Sequence, residues 1–354
     1  MPTPSNRQIA RSPNRIPAEW HPQAAVWVSQ PSAPETWPGC LEAAQAQHAA
    51  WVAAMSAVVR VRDVREAGVE PEDAWVRDFG PIFGLDAAGG LVVHDFRFNA
   101  WGGKYPPWDR SDRVPRAVAE LLSRERGEPV PVVSHGLVLE GGSLESNGAG
   151  TLLTTAACLL HPNRNPRLTR ADLHRYLCDA LGARHVIWLP RGMAGDDTDG
   201  HQDDVARWLT PDTVAHVRVP EGHPDHAALE ANFRALCCAR DQDGRRLNLV
   251  ALPAVDPAPT HRFSDPAEDP RLPASYANFL ISNGRLFLPV FNCASDQAAI
   301  DTLAEAAPQF EVIPIRSDKL IVGRGALHCL SQQQPICRSE KESATTRRVE
   351  DAKA

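Results

Sequence analysis

Two rhythms of apolar and polar positions run along this chain. Four segments carry apolar side chains at the three- and four-residue spacing of a helix with one buried face: "CLEAAQAQHAAWVAAMSAVV" from Cys40, "RADLHRYLCDAL" from Arg170, "PDHAALEANFRALCCA" from Pro224 and "DQAAIDTLAEAAP" from Asp296. Five shorter runs, "GLVVHDFRF", "HVIWL", "TVAHVRV", "RLNLVAL" and "RLFLPVF", are apolar, β-branched or aromatic and are bounded by Gly, Pro, Asn or Asp, which predicts strands. Helices and strands interleave, so the chain reads as α/β. Pro253 to Ser275 breaks the rhythm with six prolines and predicts a long surface loop, a candidate lid, because an extended pattern resumes directly in "YANFLISNG".

Polar residues break out of the extended runs at "WVRDFGP", "LVLEGGS", "DGHQDDVARW", "YANFLISNG" and "ALHCLSQQQ". With Asp78, Glu140, His201, Asn278 and Cys329 as markers, the spacings are 62, 61, 77 and 51 residues. Five modules of similar size would fit, with the proline loop lengthening one of them, and would bring the breakouts to one centre. Ordinary α/β element spacing gives a similar pattern, so the repeat stands at this point as one of two readings.

Composition narrows the class. The 354 residues can bury a substantial core, 43% are hydrophobic, and the net charge of −7 speaks against a broad nucleic-acid or membrane surface and for a small cation as partner. The N-terminus lacks an apolar targeting segment and no run is long enough to span a bilayer, from which a cytoplasmic location is expected. Eight cysteines without paired zinc spacing predict reduced thiols. Residues 1–16 read as a flexible arm, 17–337 as one catalytic domain, and 338–354, charged and almost free of apolar residues, as a disordered tail.

Candidate chemistry comes from the breakouts. On an extended backbone His201 and Asp203 project from one face, a pattern of an active site, of metal ligands, or of a charged strand start. Asp78 would close an aromatic-bearing strand, or else form an Asp turn before Gly80 and Pro81. Glu140 ends an apolar run ahead of two glycines. On an extended segment His328 would point away from the adjacent Cys329, which leaves His201 as the histidine to activate the thiol, its imidazolium lowering the thiol pKa. One thiol, one histidine and acids at 78, 140 and 203 form an odd set for acyl transfer. They suit a planar guanidinium held by carboxylates and attacked at carbon by sulfur. A metal-dependent ureohydrolase using His201, Asp199 and Asp203, and a non-catalytic guanidino-binding protein, are the competing classes.

Beyond this set, "PAEWHPQAAVWVSQP", "EDAWVRDFGP", "FRFNAWGGKYPPWD", "LVLEGGS", "GTLLTTAACLLHPNRNP", "VIWLPRGMAGDDTDGHQDDVARW" and "LHCLSQQQP" resemble, in order, the agmatine deiminases of the guanidino-group-modifying (pentein) superfamily, which is related to bacterial peptidylarginine deiminases. The resemblance covers about residues 17 to 336. It implies a five-bladed α/β propeller of ββαβ-type modules and hydrolysis of agmatine to N-carbamoylputrescine and ammonia in polyamine biosynthesis. It also implies a covalent amidino-cysteine intermediate, no metal or organic cofactor, and a homodimer. By position it makes Cys329 the nucleophile, His201 the general acid/base, Asp78 and Asp203 the guanidinium clamp, and Glu140 the support of His201 or of the clamp. Asp73, Trp75, Trp101 and Asn278 fall on the substrate side, although either tryptophan could equally be core.

The sequence departs from the family pattern at several places. Arg324 and Ala326 stand where the family carries Gly and Asn before the nucleophile. "EDAW" replaces "DDSW", and "HQDDVARW" replaces "HVDNVARF". Arg324 would be strained at a positive φ and is expected to lie outward in solvent. Arginine, peptidyl-arginine or another guanidino compound remains an alternative substrate.

Overall fold

The computed structural model describes residues 14–263 and 269–340. Five three-stranded sheets carry the fold. The chain enters through β1 (Gln23–Val28), crosses by a helix (Leu41–Ser56), and lays β2 (Arg60–Asp63) parallel to β1. Four complete triplets follow. They are β3 (Ile82–Leu85), β4 (Leu91–Arg97) and β5 (Val132–Val138); β6 (Leu144–Ser146), β7 (Thr151–Thr155) and β8 (His185–Leu189); β9 (Ala206–Thr210), β10 (Thr213–Val217) and β11 (Asn248–Leu252); and β12 (Leu280–Ser282), β13 (Arg285–Val290) and β14 (Glu311–Arg316). The last strand, β15 (Ser331–Pro335), returns to pair antiparallel with β1.

All five sheets share one order. An antiparallel first strand pairs with a middle strand, a helix crosses over, and the third strand lies parallel to the middle one. A parallel pair needs such a crossover, whereas the antiparallel pair closes through a short turn. The helices also join neighbours. His226–Cys238 packs on β8 of the preceding sheet, Asp296–Ala306 on β11 as well as its own β14, and Leu41–Ser56 on β14 as well as its own β2. Two of these helices, Leu41–Ser56 and Asp296–Ala306, thereby bury their apolar stripes against two sheets rather than one.

The four helices read from the pattern are present at Leu41–Ser56, Arg170–Leu181, His226–Cys238 and Asp296–Ala306. Thr169 caps the second in a box with Asp172, and Gly182 ends it at φ 66°. A fifth crossover helix, Val114–Arg126, was not among the expected elements; its Pro115 stands in the first turn, where no backbone N–H is needed, and Gly127 ends it at φ 69°. Polar "SQQQP" is a strand whose glutamines find partners inside: Gln332 Nε2 donates to the Pro81 carbonyl (2.8 Å) and Gln334 accepts from Trp27 Nε1 (3.0 Å), while Gln332 Oε1 is buried without a partner.

The expected arm, residues 1–16, lies outside the described residues up to 13, but Arg15 pairs with Leu85 across two backbone hydrogen bonds of 2.9 Å. Of the expected tail, residues 338–340 are helical and Arg126 reaches Ser339 and Glu340; positions 341–354 lie outside the described residues. In the proline-rich loop, Thr260 bridges to Arg271, and 264–268 lie outside the described residues.

Candidate active site

The five marker residues share one place in the fold. Asp78, Glu140, His201, Asn278 and Cys329 each lie two to five residues before the antiparallel first strand of a sheet, at β3, β6, β9, β12 and β15. The approach to that strand is a turn in every case. Asp78 is on a single helical turn, Val76–Phe79, and not at the end of a strand as the sequence suggests. His201 and Asp203 are in a turn before β9, not on extended backbone: Val205 and Ala206 both donate back to the Gln202 carbonyl at 3.0 Å. Cys329 is likewise in a turn, its carbonyl accepting from Arg77 N at 3.1 Å, so alternation along a strand does not separate it from His328.

Gly142 shows how closely these turns meet. A Cβ on it would lie 2.6 Å from His201 Nδ1, 2.8 Å from Asp78 Oδ1 and 3.1 Å from Asp203 Oδ2, so only glycine leaves the three polar atoms their room. Its N–H donates to Asp78 Oδ1 (3.0 Å), and its carbonyl accepts from the N–H groups of Gln202 (3.2 Å) and Asp203 (3.3 Å). The "EGG" glycine thus ties the turn of Asp78 to the turn of His201.

Around this point the charges are paired in layers. His201 Nδ1 faces Asp78 (3.6 Å) and Nε2 faces Glu140 (3.8 Å); burial opposes its charge, but Asp78, Cys158 and Glu140 outweigh that and hold it protonated well above the ordinary histidine range. Glu140 accepts from Arg164 Nε (2.8 Å); burial alone would raise its carboxyl, and His201 with Arg164 brings it below the ordinary value. Arg164 also pairs with Asp199 and donates to the Thr198 carbonyl (2.9 Å). Asp78 accepts from Trp101 Nε1 (2.9 Å), and burial pushes its carboxyl up to about 6 despite His201.

Asp203 Oδ2 accepts from His328 Nδ1 (2.7 Å), whose Nε2 faces Glu19 (2.9 Å). Glu19 in turn holds Arg207 (2.9 Å), which pairs with Glu145 (2.9 Å). Glu145 fell outside the motifs quoted above; they contained Glu19, Arg207, Arg164 and His328, but nothing in their local pattern separates these from surface charges. Their burial does.

The Cys329 thiol lies 3.5 Å from Asp203 Oδ2 and accepts from Asn278 Nδ2 (3.1 Å). Burial, Asp203, Asp204 and Asp78 push this thiol well above its ordinary value, the reverse of the expected lowering by an imidazolium. The ligand-free thiol is therefore protonated at neutral pH.

A cavity of about 520 Å³ opens onto Cys329, Asp78 and Asp204, with walls that include Trp75, Trp101 and Asp73. Asp203 stands behind this wall, against His328. Trp75 packs so tightly on the nucleophile turn that a Cβ on Gly325 would fall 2.5 Å from its ring. Trp101 takes φ 55° to aim its indole at Asp78, a left-handed backbone that its hydrogen bond and ring packing on Phe98 retain. Asp73 accepts from Thr36 Oγ1 (2.9 Å) and is pushed to about 6 by burial.

Arg324 does adopt the positive φ, 70°, but does not lie outward. Its side chain is 11% exposed, lines the cavity, stacks on Phe263 (4.3 Å) and donates to the Gly195 (3.1 Å) and Asp269 (3.3 Å) carbonyls. Ala326 is buried. Two triplets bring metal-capable atoms within 4.8 Å of one another: Glu140, Cys158 and His201, and Asp203, Asp204 and Cys329. No helix among the described residues is long and apolar enough to cross a membrane.

Residues 15–335 match the family described as Porphyromonas-type peptidyl-arginine deiminase. The chain is 35% identical over 360 residues to an agmatine deiminase of Pseudomonas aeruginosa (strain LESB58), covering 92% of this chain and 96% of that one. The solved structure of an Enterococcus faecalis agmatine deiminase superposes with a TM-score of 0.84 at 29% identity, over 94% of this chain and 99% of that one. An amidinotransferase from Microseira wollei shares the fold alone, at a TM-score of 0.53 and 12% identity over 93% of this chain and 99% of that one.

Proposed function

This chain belongs to the Porphyromonas-type peptidyl-arginine deiminase family, and we propose that it hydrolyses agmatine to N-carbamoylputrescine and ammonia, acting on the C–N bond of a linear amidine in putrescine biosynthesis. The observation that carries this reading is the meeting of the Cys329 thiol, Asp78 and Asp204 at one cavity, with buried, protonated His201 3.6 Å from Asp78. A neutral substrate would bring no charge to Asp78 and Asp204 where they line that cavity. A guanidinium neutralises them and brings planar N–H donors to match.

In the reading we favour, the cation itself activates the nucleophile. Its charge offsets the carboxylates that keep Cys329 protonated, and as substrate binds the S–H bond breaks and its proton passes to solvent. Sulfur then adds to the guanidinium carbon. The C–N bond breaks as His201 gives its proton to the departing nitrogen, releasing ammonia and leaving an amidino thioether on Cys329. His201, now neutral, takes a proton from water whose oxygen attacks the same carbon; the C–S bond breaks and the ureido product leaves. Asp78 and Asp203 clamp the guanidinium, Asn278 steadies Sγ, and Glu140 with Arg164 behind it keeps His201 aimed and charged. Trp75 and Trp101 flank the aliphatic chain, and Asp73 lies on the distal wall.

The common strand order of the five sheets, and the three helices that reach a preceding sheet, support a closed five-bladed ring with the site at its centre, and residues 17–337 as one catalytic domain. A homodimer rests on the family resemblance and is tested by light scattering in solution; a cytoplasmic location rests on the sequence reading alone. The function is tested by incubating the protein with agmatine, arginine and a peptidyl-arginine while measuring ammonia and ureido product. Turnover of agmatine is expected to exceed that of the others, and arginine or peptide as the better substrate would replace the reading.

A further inference from the structure

Asp204 was not assigned a role from the sequence, yet it and Asp78, rather than Asp203, are the clamp-region carboxyls that line the cavity with Cys329. One amide nitrogen joins it to the nucleophile: Asn278 Nδ2 lies 2.9 Å from Asp204 Oδ1 and 3.1 Å from Cys329 Sγ. Donor atoms of Asp203, Asp204 and Cys329 fall within 4.8 Å of one another. A group that close to sulfur is also close to the carbon that sulfur attacks.

The buried carboxyls here differ in their partners. Glu140 has Arg164 and Asp203 has His328, but among the described residues no cation pairs with Asp204. The groups that face it are Asp203, Asp196, His201, Asn278 and the Cys329 thiol. Burial, Asp203 and Asp196 raise its carboxyl well above the ordinary range, and His201 does not compensate. A neutral carboxylic acid has one acceptor and one donor, so it can occupy the place where the resembling sequences carry an asparagine.

We propose that Asp204 is a third substrate-contacting carboxyl of this enzyme, carrying its proton in the empty cavity and releasing it to solvent when a guanidinium binds. The inference rests on the deiminase reading above. The O–H bond of the acid breaks, the proton passes to buffer, and the carboxylate accepts an N–H of the bound cation, so charge is conserved. Agmatine binding is then linked to pH through a residue at which this sequence departs from the family pattern.

Calorimetry of agmatine binding to Cys329→Ser near pH 7, in two buffers of different ionisation enthalpy, tests this, since serine has no thiol proton to lose. Release of about one proton is expected, and little from the Cys329→Ser/Asp204→Asn double variant. In enzymes with the native cysteine, where the thiol also gives up a proton on binding, KM should fall more steeply with rising pH through neutrality than in Asp204→Asn, by up to about a further tenfold per pH unit. Binding without proton release, or equal release from the double variant, overturns the proposal while the deiminase reading stands. Absence of turnover with every guanidino compound overturns that reading and this proposal with it.

Discussion

His328 Nδ1 lies 2.7 Å from Asp203 Oδ2, and that same oxygen is 3.5 Å from Cys329 Sγ. The histidine beside the nucleophile thus reaches it through a carboxylate and does not act as its base. With Glu19 on its other nitrogen, His328 is clamped between two buried acids. Replacing it with Phe should leave both acids without this partner and cost roughly 3–5 kcal/mol. Urea unfolding would show this, and an unchanged midpoint would remove His328 from the network.

Arg164 acts on His201 through Glu140. With its charge removed, Glu140 takes a proton more readily and supports the imidazolium less, so the His201 pKa falls. Since the general acid must be protonated, the alkaline fall of kcat should begin at lower pH in Arg164→Met and move back toward the wild-type position in Arg164→Lys. A purely structural role would lower kcat at every pH and leave the profile in place.

The positions of these groups were legible in the sequence to different depths. The breakouts at Asp78, Glu140, His201, Asn278 and Cys329 mark the entry to each first strand, and the long 77-residue interval does contain the proline loop. That signal survives because a polar residue interrupting an apolar run is visible locally. The turns that carry Asp78 and His201 are not visible in that way, because short segments before a strand take their shape from what they pack against. Glu19 and Arg207 were out of reach for a related reason. Each looks like an ordinary surface charge until folding brings the two within 2.9 Å of each other in the interior. Asp204 differs from the resembling sequences by an acid for an amide, and only its neighbours reveal that the acid is neutral.

Asp78 should cost the protein stability. Its folded pKa, about 6, exceeds the ordinary aspartate value, so the folded state binds the proton more tightly than the unfolded chain. The penalty is full above pH 6, where the carboxylate is ionised in both states, and fades as pH falls toward 4. Asp78→Asn should therefore be inactive yet more stable at pH 7.5, by roughly 2–3 kcal/mol, with the gain shrinking in acid. Thermal unfolding at the two pH values checks the sign, and a variant less stable at pH 7.5 would show that the hydrogen bonds to Gly142 and Trp101 outweigh the buried charge.

The thiol itself separates the deiminase from a metal-dependent hydrolase. Burial and three aspartates disfavour the Cys329 thiolate until a cation arrives, so neutral iodoacetamide should alkylate it slowly, with a rate still rising above pH 9. Chloroacetamidine carries the missing positive charge on an electrophile of similar size. It should inactivate at least about tenfold faster at pH 7.5, protection by agmatine should be competitive, and Cys329→Ser, which keeps the exposed Cys237 and Cys238, should lose only the agmatine-protected label. Dialysis against a strong chelator should leave activity intact. Loss of activity to the chelator, restored by a divalent metal, would instead assign the Asp203, Asp204 and Cys329 cluster to a metal. Equal rates for the two alkylating agents would mean that the carboxylates do not control the thiol.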